Sequence, residues 1–201
     1  MYLDDHFFLM NNFPDFREAG FDIAEYNKTF EKKNVIIHAS AKDVSYPEHW
    51  GPLSVKCSMK GVEHYACNNR FYSVDEDRYL IFNDGQYYSS YIYSDTGTES
   101  FTINFSTEFQ QCVLESFGNN FDDAHRNKSF EFIERLYVHN EVVSPLLMKL
   151  YRASAVKKRD VHYITEIYYR LLENLFLQQA ELRKEIKNFL LNSLLKEVMS
   201  L

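Results

Sequence analysis

Residues 78–93 read RYLIFNDGQYYSSYIY. Leu80 and Phe82 alternate with Tyr79 and Ile81, the period-2 pattern of a half-buried strand. Asn83-Asp84-Gly85 then supplies a strong turn signal, because Gly85 takes positive φ without a Cβ clash and Asp84 tolerates it. Beyond the corner, Tyr87, Tyr88, Tyr91, Ile92 and Tyr93 resume β-type residues. So aromatic a strand–corner–strand needs other strands to cover it, and the flanking sequence provides them. Asn34–Ala41, NVIIHASA, predicts a strand, and the prolines and glycine of Asp43–Pro52 predict a loop. Leu53–Lys60 alternates throughout, with Leu53, Val55, Cys57 and Met59 expected on a core and Ser54, Lys56, Ser58 and Lys60 expected in water. Val62–Ala66 and Phe71–Val74 read as strands either side of a turn at Cys67–Arg70. The acidic turn at 75–78 leads back to the opening stretch. Ser94–Thr98 reads as a loop, and Ser100–Ser106 alternates again. Seven or eight short strands in roughly 75 residues are the signature of a small β-sandwich or barrel.

Past Ser106 the periodicity changes. Thr107–Glu115 reads as a helical turn, Phe117–Lys128 as a polar loop, and FEFIERLYV as strand-like. Ser144 is placed as an N-cap with Pro145 at the first helical position, starting a helix that runs to Val156. Asp160 caps a longer helix in which Ile164, Tyr168, Leu171, Leu175, Leu182, Ile186 and Phe189 recur at helical spacing. Some 30 helical residues span about 45 Å, longer than a small barrel is wide. The far half therefore needs another partner, expected to be the same helix in a second copy across a two-fold axis. The dimer residues predicted on this basis are Ile164, Tyr168, Leu171, Leu175, Leu182 and Ile186.

A composition of 45% hydrophobic residues, with 17 Phe and 15 Tyr in 201 residues, excludes a disordered chain. No apolar run reaches the length of a membrane span. The N-terminus, rich in acids, lacks the pattern of a signal peptide. Cys57, Cys67 and Cys112 are too scattered for a disulfide framework, which implies a reducing, cytoplasmic setting. The net charge of −7 argues against nucleic-acid binding by these residues alone. No catalytic motif such as GxSxG, HExxH or a phosphate loop occurs.

The corner NDGQYY resembles the second cupin motif, in which a glycine corner is followed three residues later by a histidine metal ligand. Tyr88 stands at that place. By the spacing of the first cupin motif only His49 can be fitted as a ligand, and Ser54 falls where the carboxylate belongs. One ligand of four does not hold a metal, so no metal or other cofactor is expected. The ordered set WGPLSVKCSMKGVEHY, FYSVDEDRYLIFNDGQYYSSYI, ESFTINFS, LYVHNEVVSPLLMKLY and LRKEIKNF, spanning about residues 35–190, is similar to the N-terminal sensing and dimerisation half of AraC-type transcriptional regulators. The resemblance implies an α+β fold: a cupin-like β-barrel (double-stranded jelly roll) followed by a C-terminal helical hairpin used for dimerisation. It assigns 1–140 to the effector-binding barrel with its N-terminal arm and 141–201 to the helical segment. DNA would be bound only through a C-terminal helix-turn-helix domain outside this chain.

In that reading the partners are a second copy of the chain and a small-molecule effector, a sugar or phenol by the abundance of tyrosine. Candidate ligand-binding residues on the central strands are His38, His64, Tyr72, Tyr88 and Tyr91. Two alternatives stand beside it. One is a cupin metalloenzyme, an isomerase or dioxygenase. The other is a module whose barrel is filled by side chains and only pairs subunits, indicated by a cavity below about 100 Å³.

Overall fold

A computed structural model describes residues 7–13, 15, 20–117, 130–156 and 160–199; of Ile23, Thr29, Glu31 and 190–199 only the backbone is described. In chain order the elements are β1 (Phe7–Met10), α1 (Ile23–Lys32), β2 (Asn34–Gly51), β3 (Ser54–Lys60), β4 (Glu63–Cys67), β5 (Arg70–Val74), β6 (Arg78–Phe82), β7 (Gln86–Asn104), α2 (Thr107–Ser116), β8 (Leu136–Val138), α3 (Val143–Ala155) and α4 (Val161–Met199). The strands run β1-β2-β7-β3-β6-β8, with β4 and β5 branching from β7.

Two long strands turn this set into a jelly roll. β2 and β7 are antiparallel partners along most of their length, His38 opposite Phe101 at one end and His49 opposite Tyr88 at the other. The second half of β7 pairs with β3, whereas its first half pairs with β4. Each long strand thus belongs to two layers, and the change of layer falls at irregularities. One lies between Ala41 and Asp43, opposite Ser94–Gly97, where Gly97 has a φ of +88° and its N–H donates to Ser94 Oγ. The other lies between Tyr46 and His49. Pro47 sits in it, at a position where no ladder hydrogen bond is asked of its missing N–H. Pro47 therefore marks a bulge inside a strand that runs on to Gly51, where a loop was expected, and Pro52 follows its end; Ser94–Thr98 is likewise an irregularity within β7.

The opening corner is present, with Gly85 at φ +76°. β6 and β7 do not pair with each other, however. β6 adds to β3 while β7 starts the opposite layer, so the corner crosses the barrel and is no hairpin. It is pinned from both sides: Gly85 N–H donates to the Gly51 carbonyl at 3.0 Å, and Asn83 exchanges two hydrogen bonds with the Phe132 backbone. The turn at Cys67–Arg70 uses two left-handed asparagines, Asn68 (φ +50°) and Asn69 (φ +60°), residues that tolerate αL.

The main apolar core lies outside the barrel. Val55 and Cys57 of β3, Tyr79 and Ile81 of β6, and Phe101 and Ile103 of β7 form one cluster with Val113 of α2, Leu147 and Leu150 of α3, and Ile164, Ile167, Tyr168, Leu171, Leu172, Leu175 and Phe176 of α4. Thr107–Ser116 is a full helix, its N-cap Ser106 accepting from Phe109 N–H. α3 begins at Val143, earlier than expected, because Asn140 Oδ1 accepts from the N–H groups of both Val142 and Val143; Ser144 instead accepts from Asn140 N–H. Asp160 does cap α4, accepting from Tyr163 N–H. The expected loop at 117–128 falls almost wholly outside the described residues. Of the strand-like FEFIERLYV, only Leu136–Val138 is a strand.

Candidate functional site

Because the helices cover the outward face of β3, β6 and β7, the alternate residues of those strands point into the barrel. Ser54, Lys56 and Ser58 are all buried, as are Ser100, Thr102 and Asn104. Of the polar side of β3, expected in water, Ser54, Lys56 and Ser58 face the interior instead, and Lys60 is exposed as expected. One end of that interior is packed by Tyr65, Cys67, Tyr72, Val74, Leu80, Phe82 and Tyr88, with Phe82 and Tyr88 stacked at 4.2 Å between ring centroids. Next to it is a cavity of about 50 Å³, lined by Ile37, Tyr46, His49, Lys56, Glu63, Tyr65, Tyr88, Ser90 and Thr102 together with Phe13 of the N-terminal arm and Tyr26 of α1.

Lys56 is the central group of this cavity. Its side chain is 5% exposed, its Nζ donates to Tyr88 Oη at 2.8 Å, and it lies 4.9 Å from that ring's centroid. Burial brings its pKa down to about 8, against the pull of Glu63. Glu63, at the start of β4, is 4% exposed, and its Oε2 is buried with no hydrogen-bond partner. Burial raises its carboxyl above the usual range, opposed by the Ser100 hydroxyl, the Lys56 charge and the Tyr65 hydroxyl. His49 Nδ1 is 2.8 Å from the Pro47 carbonyl and its ring meets Tyr88 at 4.6 Å; burial lowers its pKa. Gly51 is what lets Tyr88 occupy this place. A Cβ there would come within 2.5 Å of the Tyr88 ring.

Of the five residues expected to bind ligand, Tyr88 lines the cavity and the others do not. Tyr72 points inward, but its hydroxyl donates to Glu134 Oε1 at 2.6 Å, in a knot that also holds Asn68 and Gln86. His64 and Tyr91 lie on the outer side of β4 and β7, stacked on each other at 4.7 Å, with His64 Nδ1 2.9 Å from Ser73 Oγ. His38 is on the helix side of β2. Its Nε2 lies 2.7 Å from Glu99 Oε1 and its Nδ1 3.0 Å from Ser154 Oγ of α3, while the Tyr151 hydroxyl donates to the same Glu99 oxygen. The order Ser–His–Glu is that of a hydrolase relay. Here it joins α3 to the sheet: Ser154 is 3% exposed and its hydroxyl donates to the Tyr151 carbonyl. Lys56, Glu63 and Tyr46 escaped the sequence reading. For Lys56 the signal was the alternation of β3, whose second covered face periodicity does not reveal; Tyr46 lay in the stretch expected to be a loop, and nothing in the pattern set Glu63 apart.

The fold family's metal does not fit this cavity. His49 and Glu63 are its two candidate ligands, with an ammonium beside them. Among the described residues no three His, Cys, Asp or Glu side chains converge on a metal position.

The six residues expected at a dimer seam are also redistributed. Ile164, Tyr168, Leu171 and Leu175 are buried in the chain's own core, and Leu182 packs at its edge. Ile186 is 42% exposed, and Phe189, a turn further on, is 74% exposed. A helical stripe marks a buried face without naming what buries it.

No protein-family model and no curated protein matches the chain. Solved structures do. Unsaturated-fatty-acid-bound ToxT from Vibrio cholerae strain SCE256 superposes with a TM-score of 0.51 at 13% identity, covering 74% of this chain. ToxT from strain O395 bound to (E)-4-(8-methylnaphthalen-1-yl)but-3-enoic acid gives 0.50 at 12% identity over 73%. This chain has the fold of the N-terminal part of ToxT. ToxT is an AraC-family regulator, and the shared architecture is the cupin-like barrel followed by helices. The chain spans little more than half the length of these ToxT chains, 55% and 57%. No described helix is long and apolar enough to cross a membrane.

Proposed function

We propose that the chain is the effector-sensing and dimerisation part of an AraC-type transcriptional regulator, cytoplasmic and without enzymatic activity of its own. A small molecule binds in the barrel without a metal, at Lys56. The observation that carries this is a lysine side chain sealed inside a cupin-like barrel beside an unpartnered carboxyl oxygen. A core selected for stability alone would replace both with apolar groups. Both ligands named for the ToxT structures are carboxylic acids, and Lys56 offers a carboxylate an ammonium with two N–H groups to spare.

The effector acts by biasing two arrangements, which it does only by binding one of them better. Phe13 and Tyr26 also line the cavity, from the arm and α1, so occupancy moves them or holds them. The far half of α4, with Leu182, Ile186 and Phe189, pairs with a second copy, and the dimer sets the spacing of DNA-binding domains carried outside these residues. Titration calorimetry with small carboxylic acids tests the first claim: heat that disappears in Lys56→Met supports it, and heat unchanged in that variant refutes it. For the second, Ile186→Glu with Phe189→Glu converts a dimer to a monomer in sedimentation; an unchanged dimer mass moves the seam elsewhere.

One observation favours a second reading, a barrel filled by its own side chains that only pairs subunits. The cavity, about 50 Å³, is well below an ordinary ligand pocket. Removing the plug separates the two readings. Phe13→Ala with Tyr26→Ala strengthens effector binding if the arm is a cover, and yields no binding to any small acid if the barrel is merely packed.

A further inference from the structure

The cavity holds an ammonium and a carboxyl that the fold does not join in an ion pair. Lys56 Nζ carries three N–H donors, and the Tyr88 hydroxyl is its one hydrogen-bond partner among the described residues. Glu63 Oε2 is closed off from solvent and accepts nothing. The two groups feel each other's charge, yet no ion pair joins them among the described residues. Each is fixed by its strand: Lys56 points inward from β3, and Glu63 opens β4, where its register partner Val74 is also inward. The Ser100 and Tyr65 hydroxyls favour the ionised Glu63, yet its Oε2 stays open; an ammonium with spare donors and a carboxyl with a spare acceptor are answered together by a third party with complementary ends.

The geometry points to a small zwitterion as the barrel's ligand, an amino acid whose carboxylate accepts from Lys56 Nζ and whose ammonium donates to Glu63 Oε2. This rests on the effector-barrel reading and adds the ligand class to it. A sugar or a phenol stacks on the tyrosine walls but leaves both charges unanswered, and a plain fatty acid answers Lys56 alone. Size limits the choice further. A cavity of about 50 Å³ holds roughly three to five waters at about 10–15 Å³ each, which favours the smallest amino acids, glycine with its five heavy atoms and alanine with its six. His49, held neutral by burial and by the Lys56 charge, adds no further cation to the site.

Isothermal titration of the 201-residue chain with alanine, propionate and ethylamine tests the assignment, since propionate lacks the ammonium and ethylamine the carboxylate. Alanine is expected to bind at least about tenfold more tightly than either, the loss of one charged contact being worth about a factor of ten or more. Glu63→Gln and Lys56→Met each remove that advantage while keeping a cooperative thermal transition. Glu63→Gln leaves propionate binding intact, which a purely structural Glu63 would not separate from alanine binding. Propionate binding as tightly as alanine overturns the zwitterion and leaves an effector barrel. Heat from octanoate or 4-hydroxybenzoate alone does the same. Silence from all five compounds overturns the zwitterion and the effector reading together.

Discussion

The two faces of one sheet are equally dry and opposite in character. Val55, Cys57, Phe101 and Ile103 point from β3 and β7 into the apolar core beneath α3 and α4. Their neighbours Ser54, Lys56, Ser58, Thr102 and Asn104 point the other way and are just as buried, in the barrel. The outer face holds the molecule together. The inner face keeps hydroxyls, an amide, an ammonium and a carboxyl out of water, and proteins violate their own packing rules in this way where they bind something.

Removing an apolar side chain from the outer face and the buried ammonium from the inner one should therefore move stability in opposite directions. On the outer face Leu171, fully buried in α4, is expected to lose about 2–5 kcal/mol as Leu171→Ala. Leu171→Glu should abolish folding outright, seen as loss of the cooperative urea transition; a folded, monomeric Leu171→Glu would make this residue a dimer seam after all. On the inner face Lys56→Met should gain about 1–3 kcal/mol at neutral pH, since replacing a buried charge by an apolar side chain of similar shape removes its desolvation. The gain has a pH signature. The folded-state pKa of Lys56 is lowered from 10.5 to about 8, so between these values the unfolded chain holds a proton that the folded chain has released. The wild type gains stability as pH rises through that window. Its deficit against Lys56→Met is constant below about pH 8 and closes toward pH 10.5. Parallel unfolding curves for the two proteins over that range would show that Lys56 is hydrated.

The sequence made one of these faces legible and hid the other. Alternation in 53–60 and 100–106 located the strands and sorted their residues into two sets, and the Asn83–Gly85 corner marked where the chain turns. What alternation cannot tell is what lies against each set, because a strand covered on one side by helices and on the other by a barrel reads like a strand half in water. Lys56 was assigned to solvent for that reason, and Ile164, Tyr168, Leu171 and Leu175 to a second copy. The cupin-like spacing singled out the positions of His49 and Tyr88, and the register sets them face to face across β2 and β7. Pro47 misled in the other direction, since a proline that ends most strands is accommodated here by a bulge.

Smaller effects sharpen the contrast. Gly51→Ala places a methyl against the Tyr88 ring, which Phe82 stacking and Lys56 hold in place. An overpacking cost of about 1–3 kcal/mol is expected, together with a changed near-ultraviolet dichroism from the displaced tyrosine. An unaltered spectrum would mean that the inner face yields easily. His38→Gln should cost about 1 kcal/mol, confined to the α3 contact with Glu99 and Ser154. Hydrogen exchange localises it: faster exchange in α3 and none in β4 or β5 is expected, and a spread to those strands would show that the two faces are coupled.

The most direct measurement is the urea midpoint of Lys56→Met beside that of Leu171→Ala at pH 7. A midpoint above the wild type for the first and far below it for the second is predicted for a barrel whose polar interior is kept for a ligand while the apolar layer outside supplies the stability. A Lys56→Met midpoint that falls as far as that of Leu171→Ala would contradict it, making Lys56 part of what holds the fold.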